Sequence, residues 1–147
     1  MYDRPTAQEL IEAVRLHLEQ AIIPAVKADR KLYFQTLVAI NVLKIVEREM
    51  TLREDHLEAE WERMNTFIEG GSLFEFARTD QCENVLRLAN RTLCQEIRQG
   101  KYDDDDHALF AHLKQTVMEQ LEVANPRYLK KIAAEDTDPS RDAWHNR

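Results

Sequence analysis

Along most of this chain apolar residues return every three or four positions, the spacing of amphipathic helices. The densest run, Y-F-Q-T-L-V-A-I-N-V-L-K-I-V-E-R-E-M, covers residues 33–50. Its middle is apolar nearly all the way round, which a helix sustains only when neighbours cover most of its circumference. The run therefore predicts a central, buried helix over about residues 31–50. At about 100° per residue, Phe34, Val38, Asn41, Ile45, Arg48 and Leu52 share one narrow stripe. Two polar side chains, Asn41 and Arg48, thus sit in an otherwise apolar line.

The flanking segments read as further helices. Thr6 and Glu9 have the form of a capping box, and Leu10, Ile11, Val14, Leu18 and Ile22 then keep one face. Pro24 removes a backbone donor and crowds the preceding turn, so this first helix is expected to end, or kink, near Ala21. Ala28, Asp29 and Arg30 would connect it to the central helix. Thr51 and Glu54 resemble a second capping box, which predicts a break near Thr51; no Gly or Pro enforces it, so an unbroken helix is the alternative. Leu57, Trp61, Met64 and Ile68 form an apolar stripe whose opposite face is acidic (Glu54, Asp55, Glu58, Glu60, Glu62), and Gly70-Gly71 ends it. Residues 72–79 suit a short turn that tucks Leu73, Phe74 and Phe76 under the bundle. From Asp80, Cys82, Leu86, Ala89, Leu93 and Ile97 keep one face until Gly100. After the acidic run 103–106, Leu109, Phe110, Leu113, Val117 and Leu121 mark a helix that stops at Asn125-Pro126. Tyr128, Leu129 and Ile132 would add one packed turn.

These elements predict an all-α fold, an antiparallel bundle of four to five helices around the central apolar helix. Residues 1–134 would form its single domain and residues 135–147 a polar, disordered tail. With 147 residues the chain is long enough for a core, and 3 Gly and 4 Pro argue against a β-rich domain. A net charge of −7 argues against a nucleic-acid or anionic-membrane surface, because both need clustered Lys and Arg. Cys82 and Cys94 would lie about 18 Å apart along one helix at 1.5 Å per residue, so they cannot bond to each other. Two reduced thiols, no signal-like start and no apolar run of membrane-spanning length point to a soluble, cytoplasmic protein.

Candidate chemistry is sparse. His17, His56, His107, His112 and His145 include no Glu-x-x-His pair of the di-metal bundle type, and residues 103–106 lack the oxygen spacing of a calcium loop. His56 and Glu60 could share a helix face, but that face reads as solvent-directed. Cys82 falls on an apolar stripe and reads as a core residue; there is no phosphate loop, nucleophile elbow or dinucleotide fingerprint. No metal, cofactor or catalytic residue is expected. The polar residues of the central helix either fix the register of the bundle, through a network with Asn90 or a Glu of another helix, or face a pocket or partner.

Several blocks carry a resemblance: R-P-T-A-Q-E-L-I-E-A-V-R at residues 4–15, V-A-I-N-V-L-K-I-V-E-R-E at residues 38–49, Leu93/Ile97/Arg98/Gly100/Asp103, and N-P-x-Y-L at residues 125–129. On these the chain resembles an uncharacterised bacterial all-helical family found beside or fused to aminoglycoside-phosphotransferase-like kinases, with acyl-CoA dehydrogenases nearby. Ile40 and Val42 stand where that family has smaller residues. The resemblance implies a non-catalytic accessory subunit of such a kinase, acting on hydroxyacyl-CoA substrates. Docking would use Phe74 and Phe76 or the end of the central helix near Arg48, with Asn41, Arg48, Asn90 and Arg98 as candidate network or binding residues. The alternatives are a small-molecule or acyl-chain binding bundle, with Asn41 and Arg48 in its pocket, and a homo-oligomeric structural protein; a homodimer is one possible assembly.

Overall fold

The structure is a computed structural model that describes residues 4–67, 79–102 and 107–136. Every regular element in these residues is a helix, and the fold is an all-α bundle. In order the elements are α1 (Ala7–His17), a π-helical turn (Leu18–Ile22), α2 (Ile23–Ala25), α3 (Arg30–Met64), a 3-10 turn (Asn65–Phe67), α4 (Thr79–Arg98), α5 (His107–Ala124) and α6 (Pro126–Asp136). They form two compact units, one reaching Arg53 and one starting at Glu54, and α3 contributes to both.

The first unit is a helical hairpin. The Glu9 amide donates to Thr6 Oγ1 and the Thr6 amide to the Glu9 carboxylate, which completes the expected capping box. Helical backbone then continues past Ala21 to Ala25, contrary to the expected end. A π turn is the reason: the Ile23 N–H bonds the Leu18 carbonyl five residues back, and this offset accommodates the proline while helical hydrogen bonding continues. Asp29 caps α3, its Oδ1 accepting from the amides of Lys31 and Leu32 at 3.0 Å each. The seam between α1 and α3 is polar. Arg15 Nε donates to Glu47 at 2.7 Å, Arg15 Nη1 to Glu19 at 2.9 Å, and Lys44 Nζ to Glu19 at 2.6 Å.

One side of α3 faces that seam, with Thr36 and Ile40 buried. The other side is open: Phe34 is 66% exposed, Val38 47% and Val42 50%, and on α1 Leu10 and Val14 are each 53% exposed. The expectation of a helix buried all round fails over these residues. A hairpin partner covers only one flank, and the wide apolar girth of residues 34–45 exceeds it. Nor does α3 break at Thr51, whose hydroxyl donates to the Glu47 carbonyl at 2.9 Å inside an unbroken helix.

The second unit holds the main core, built from Trp61, Met64, Cys82, Leu86, Leu93 and Leu109, with Leu57, Phe67, Ala89 and Ile97 packed against it. The stripes read on α3 and α4 supply most of it, although Ile68 lies outside the described residues. Gly100, at φ 79°, closes α4: its N–H bonds the Ile97 carbonyl and the Lys101 N–H bonds that of Glu96, a left-handed C-terminal turn.

Helix α5 departs from its expected orientation. It buries Leu109, His112 and Glu119, while Phe110 (69%), Leu113 (41%) and Val117 (52%) are exposed. The physical reason lies in what α3 presents. Arg63 needs a carboxylate close by, and Glu119 meets it only if α5 turns its polar edge inward. Finally, Asn125 caps α6, whose three turns replace the single packed turn expected after Pro126. Gly70, Gly71 and residues 103–106 lie outside the described residues, as do Phe74, Phe76 and residues 137–147 of the expected tail.

Candidate functional site

Three features of the described residues bear on function, and each rests on side chains that the helices place. The first is a groove of about 600 Å³ in the second unit, between α4 and parts of α3 and α5. Its floor is apolar, from Leu57 of α3 and Leu86 of α4, and its wall includes Asn90, Cys94 and Arg98 of α4. Asn90 Nδ2 donates to Glu60 Oε1 at 2.9 Å, which ties α4 to α3. Glu60, read from sequence as part of a solvent-directed acidic face, is thus half-buried and occupied; Glu54, Asp55, Glu58 and Glu62 are exposed as expected.

Arg87, Arg91 and Arg98 line the same groove. On a helix they lie within about 40° of one another, and their Cα atoms span about 16 Å along the axis. Arg87 donates to Asn84 Oδ1 at 2.8 Å, and among the described residues none of the three is paired with a carboxylate. Sequence reasoning named Arg98 alone. The four- and seven-residue spacing of the three arginines was visible in the chain but looked like an ordinary solvated face.

The second feature is a polar cluster between α3 and α5. Arg63 forks onto Glu119, with Nη1 to Oε1 at 2.9 Å and Nη2 to Oε2 at 2.6 Å, and Gln115 Nε2 donates to the same carboxylate at 3.0 Å. Glu119 is 8% exposed. His112, 3% exposed, packs its ring 5.2 Å from that of Phe67 and has no hydrogen-bond partner on either ring nitrogen. Burial pushes its pKa below the ordinary histidine value, the Arg63 charge pushes the same way, and Glu60 and Glu119 oppose both. His56 Nε2 lies 3.3 Å from Glu122. This cluster ties α5 to α3. Arg63 and Glu119 escaped the sequence reading, and His112 was weighed there only as a metal ligand, because a polar group on a helix does not disclose which neighbour will cover it.

The third feature is the open apolar stripe Phe34–Val38–Val42 on α3. Asn41 is exposed on that side of α3, and Arg48 is half-buried beside a smaller hollow of about 340 Å³ with Gln8, Glu12, Glu47 and Leu52. So the structure places Asn90 and Arg98 in one groove, Arg48 at a separate hollow in the first unit, and Asn41 at neither. Asn90 finds its carboxylate on α3 in Glu60. Phe74 and Phe76 lie outside the described residues.

Cys82, 2% exposed, has its thiol pKa raised by burial and by the nearby Glu60 and Glu83 charges, which disfavours the thiolate. Among the described residues no three His, Cys, Asp or Glu side chains converge as metal ligands, and no helix is long and apolar enough to cross a membrane.

Over residues 24–128 the sequence matches the family described as Domain of unknown function (DUF6285). No curated protein and no solved structure matches the chain.

Proposed function

The chain belongs to the DUF6285 family, and from that premise we propose that it is a non-catalytic interaction protein, the accessory subunit of a phosphotransferase-like kinase. One observation carries the reading: the apolar side chains of the hairpin that remain open, namely Leu10, Val14, Phe34, Val38 and Val42. Each keeps about half or more of its surface in water, and covering that surface stabilises by roughly 1 kcal/mol per side chain. Phe34, Val38 and Val42 lie four residues apart on one stripe of α3, and exposed apolar side chains grouped in this way mark an interface more often than scattered ones do. The kinase, and its hydroxyacyl-CoA substrate, come from the family resemblance carried by residues 38–49.

The test is co-expression with an aminoglycoside-phosphotransferase-like kinase encoded beside this chain, followed by pull-down and a kinase assay. Capture of the kinase, lost in Phe34→Glu/Val38→Glu while helicity by circular dichroism is kept, is the expected result. Absence of both a complex and any effect on kinase activity refutes the proposal. A dimer that grows with concentration and disappears in the same variant would instead assign the face to a second copy of this chain.

A second reading, a small-molecule or acyl-chain binding bundle, draws on the groove of about 600 Å³, within the range of ligand sites. Its rim is polar and its apolar floor short, which fits an acyl chain poorly. Unchanged melting in the presence of acyl-CoA of several chain lengths would remove it.

A further inference from the structure

The groove along α4 carries a line of arginines longer than a single small anion. Arg87, Arg91 and Arg98 share one stripe, and among the described residues no carboxylate is paired with any of them. The chain has 27 acidic and 20 basic residues; a guanidinium here has acids to spare within its own molecule. Arg15, Arg63, Lys44 and Lys101 all take one. Three arginines in line without one therefore offer an unspent positive charge in a protein whose net charge is negative.

Spacing decides what could use it. The stripe runs about 16 Å, with successive gaps of about 6 and 10 Å at the helical rise. A single phosphate or carboxylate is too small to reach all three. A second helix laid along α4 repeats the same rise, so carboxylates four and seven residues apart on it would meet all three arginines. Its neighbouring apolar side chains would then rest on Leu57 and Leu86, the apolar floor beside the stripe. Arginine suits this task because its planar fork takes a carboxylate through two hydrogen bonds.

We propose that the Arg87–Arg91–Arg98 stripe and its apolar floor form a docking groove for an acidic amphipathic helix of a partner protein. Glu83 lies at the N-terminal end of the groove and sets a limit on the occupant, whose carboxylates should begin opposite Arg87 and run toward Arg98. The mode is helix-in-groove recognition with charge complementarity along one edge. It uses a different surface from the open side of the hairpin and does not depend on a kinase being the partner.

The experiment titrates the full chain into a fluorescently labelled synthetic helix that carries glutamates at spacings of four and seven, with leucines on the adjoining face. A peptide of identical composition with the glutamates spread around the helix is its control. The matched peptide should bind at low salt and weaken as salt rises. Arg91→Glu/Arg98→Glu should weaken binding by at least about tenfold, and Arg127→Glu on α6 should leave it unchanged. If charge reversal disturbs folding, Arg91→Gln/Arg98→Gln keeps the test intact, with a loss of at least about threefold expected. Equal binding of the two peptides, or no effect of the arginine variants, overturns the proposal. So does stripe-dependent binding of a twelve-residue oligothymidine in preference to the peptide. Kinase capture by the Arg91/Arg98 variants separates the two surfaces: it persists if only the hairpin face docks the kinase.

Discussion

Glu119→Leu removes the carboxylate that holds Arg63 and leaves the guanidinium facing an apolar side chain. The pair is bidentate at 2.9 and 2.6 Å, Gln115 adds a third bond, and the Glu119 side chain is 10% exposed. Breaking a fully buried pair by deleting one member costs about 3–5 kcal/mol. The Arg63 side chain is 24% exposed, so water can reach part of the stranded charge, which brings the expected cost down to about 2–3 kcal/mol. Arg63 Nε is already without a partner, and losing the two Nη bonds compounds that deficit. Urea unfolding followed by circular dichroism reads the change directly. With a slope of about 1–3 kcal/mol/M, the midpoint should fall by roughly 1–2 M. Restoring charge balance is the sharper half of the test. Arg63→Met/Glu119→Leu buries two apolar side chains where the ion pair stood, and should lie within about 1 kcal/mol of the parent. With Arg63→Met alone costing a similar amount, the coupling between the two positions would be at least about 3 kcal/mol, opposite in sign to the single losses. A single variant that loses less than about 0.5 kcal/mol would refute the reasoning. A double variant as damaged as the sum of its singles would do so equally, since the side chains would then act independently.

Further expectations follow from other parts of the molecule. The pKa of folded His112 is depressed, so below about pH 6.5 the unfolded chain takes up a proton that the folded one resists. Stability should therefore fall as the pH drops from about 7 to 5.5, and His112→Leu should flatten that slope relative to the parent in parallel urea titrations; identical slopes would exclude the effect. Gly100→Ala places a side chain at φ 79° and should lower stability by about 1 kcal/mol, read as a drop in melting temperature. Cys94 is exposed and Cys82 buried, so a thiol reagent should modify one cysteine quickly and the second only upon unfolding; two fast equivalents would contradict the core assignment. Asn41→Leu should leave folding within about 0.5 kcal/mol, because the amide lies at the surface, while Arg48→Met tests by pull-down whether the hollow beside Gln8 and Glu12 takes part in partner capture.

What the chain determined by itself is the set of helices and much of the main core. The Thr6–Glu9 box, the Leu57–Trp61–Met64 stripe and the Cys82–Leu86–Leu93 stripe all rest on spacing and local hydrogen bonding, which are properties of neighbouring residues. Helix ends were legible where a residue compels them, as Gly100 does, and misread where backbone could adapt, as it does through the π turn before Pro24. Tertiary structure alone decided which face of each helix is covered. Apolar girth on residues 34–45 predicts burial only if enough neighbours arrive, and the hairpin supplies too few; the pattern of α5 favoured Phe110 and Val117, but Arg63 turned its Glu119 edge inward instead. The candidate site divides the same way. Asn90 and Arg98 could be named from the chain, whereas Glu60 as partner to one, and Arg87 and Arg91 as companions to the other, depend on which helices lie side by side. A sequence states what each face can do, and only packing states which face meets water.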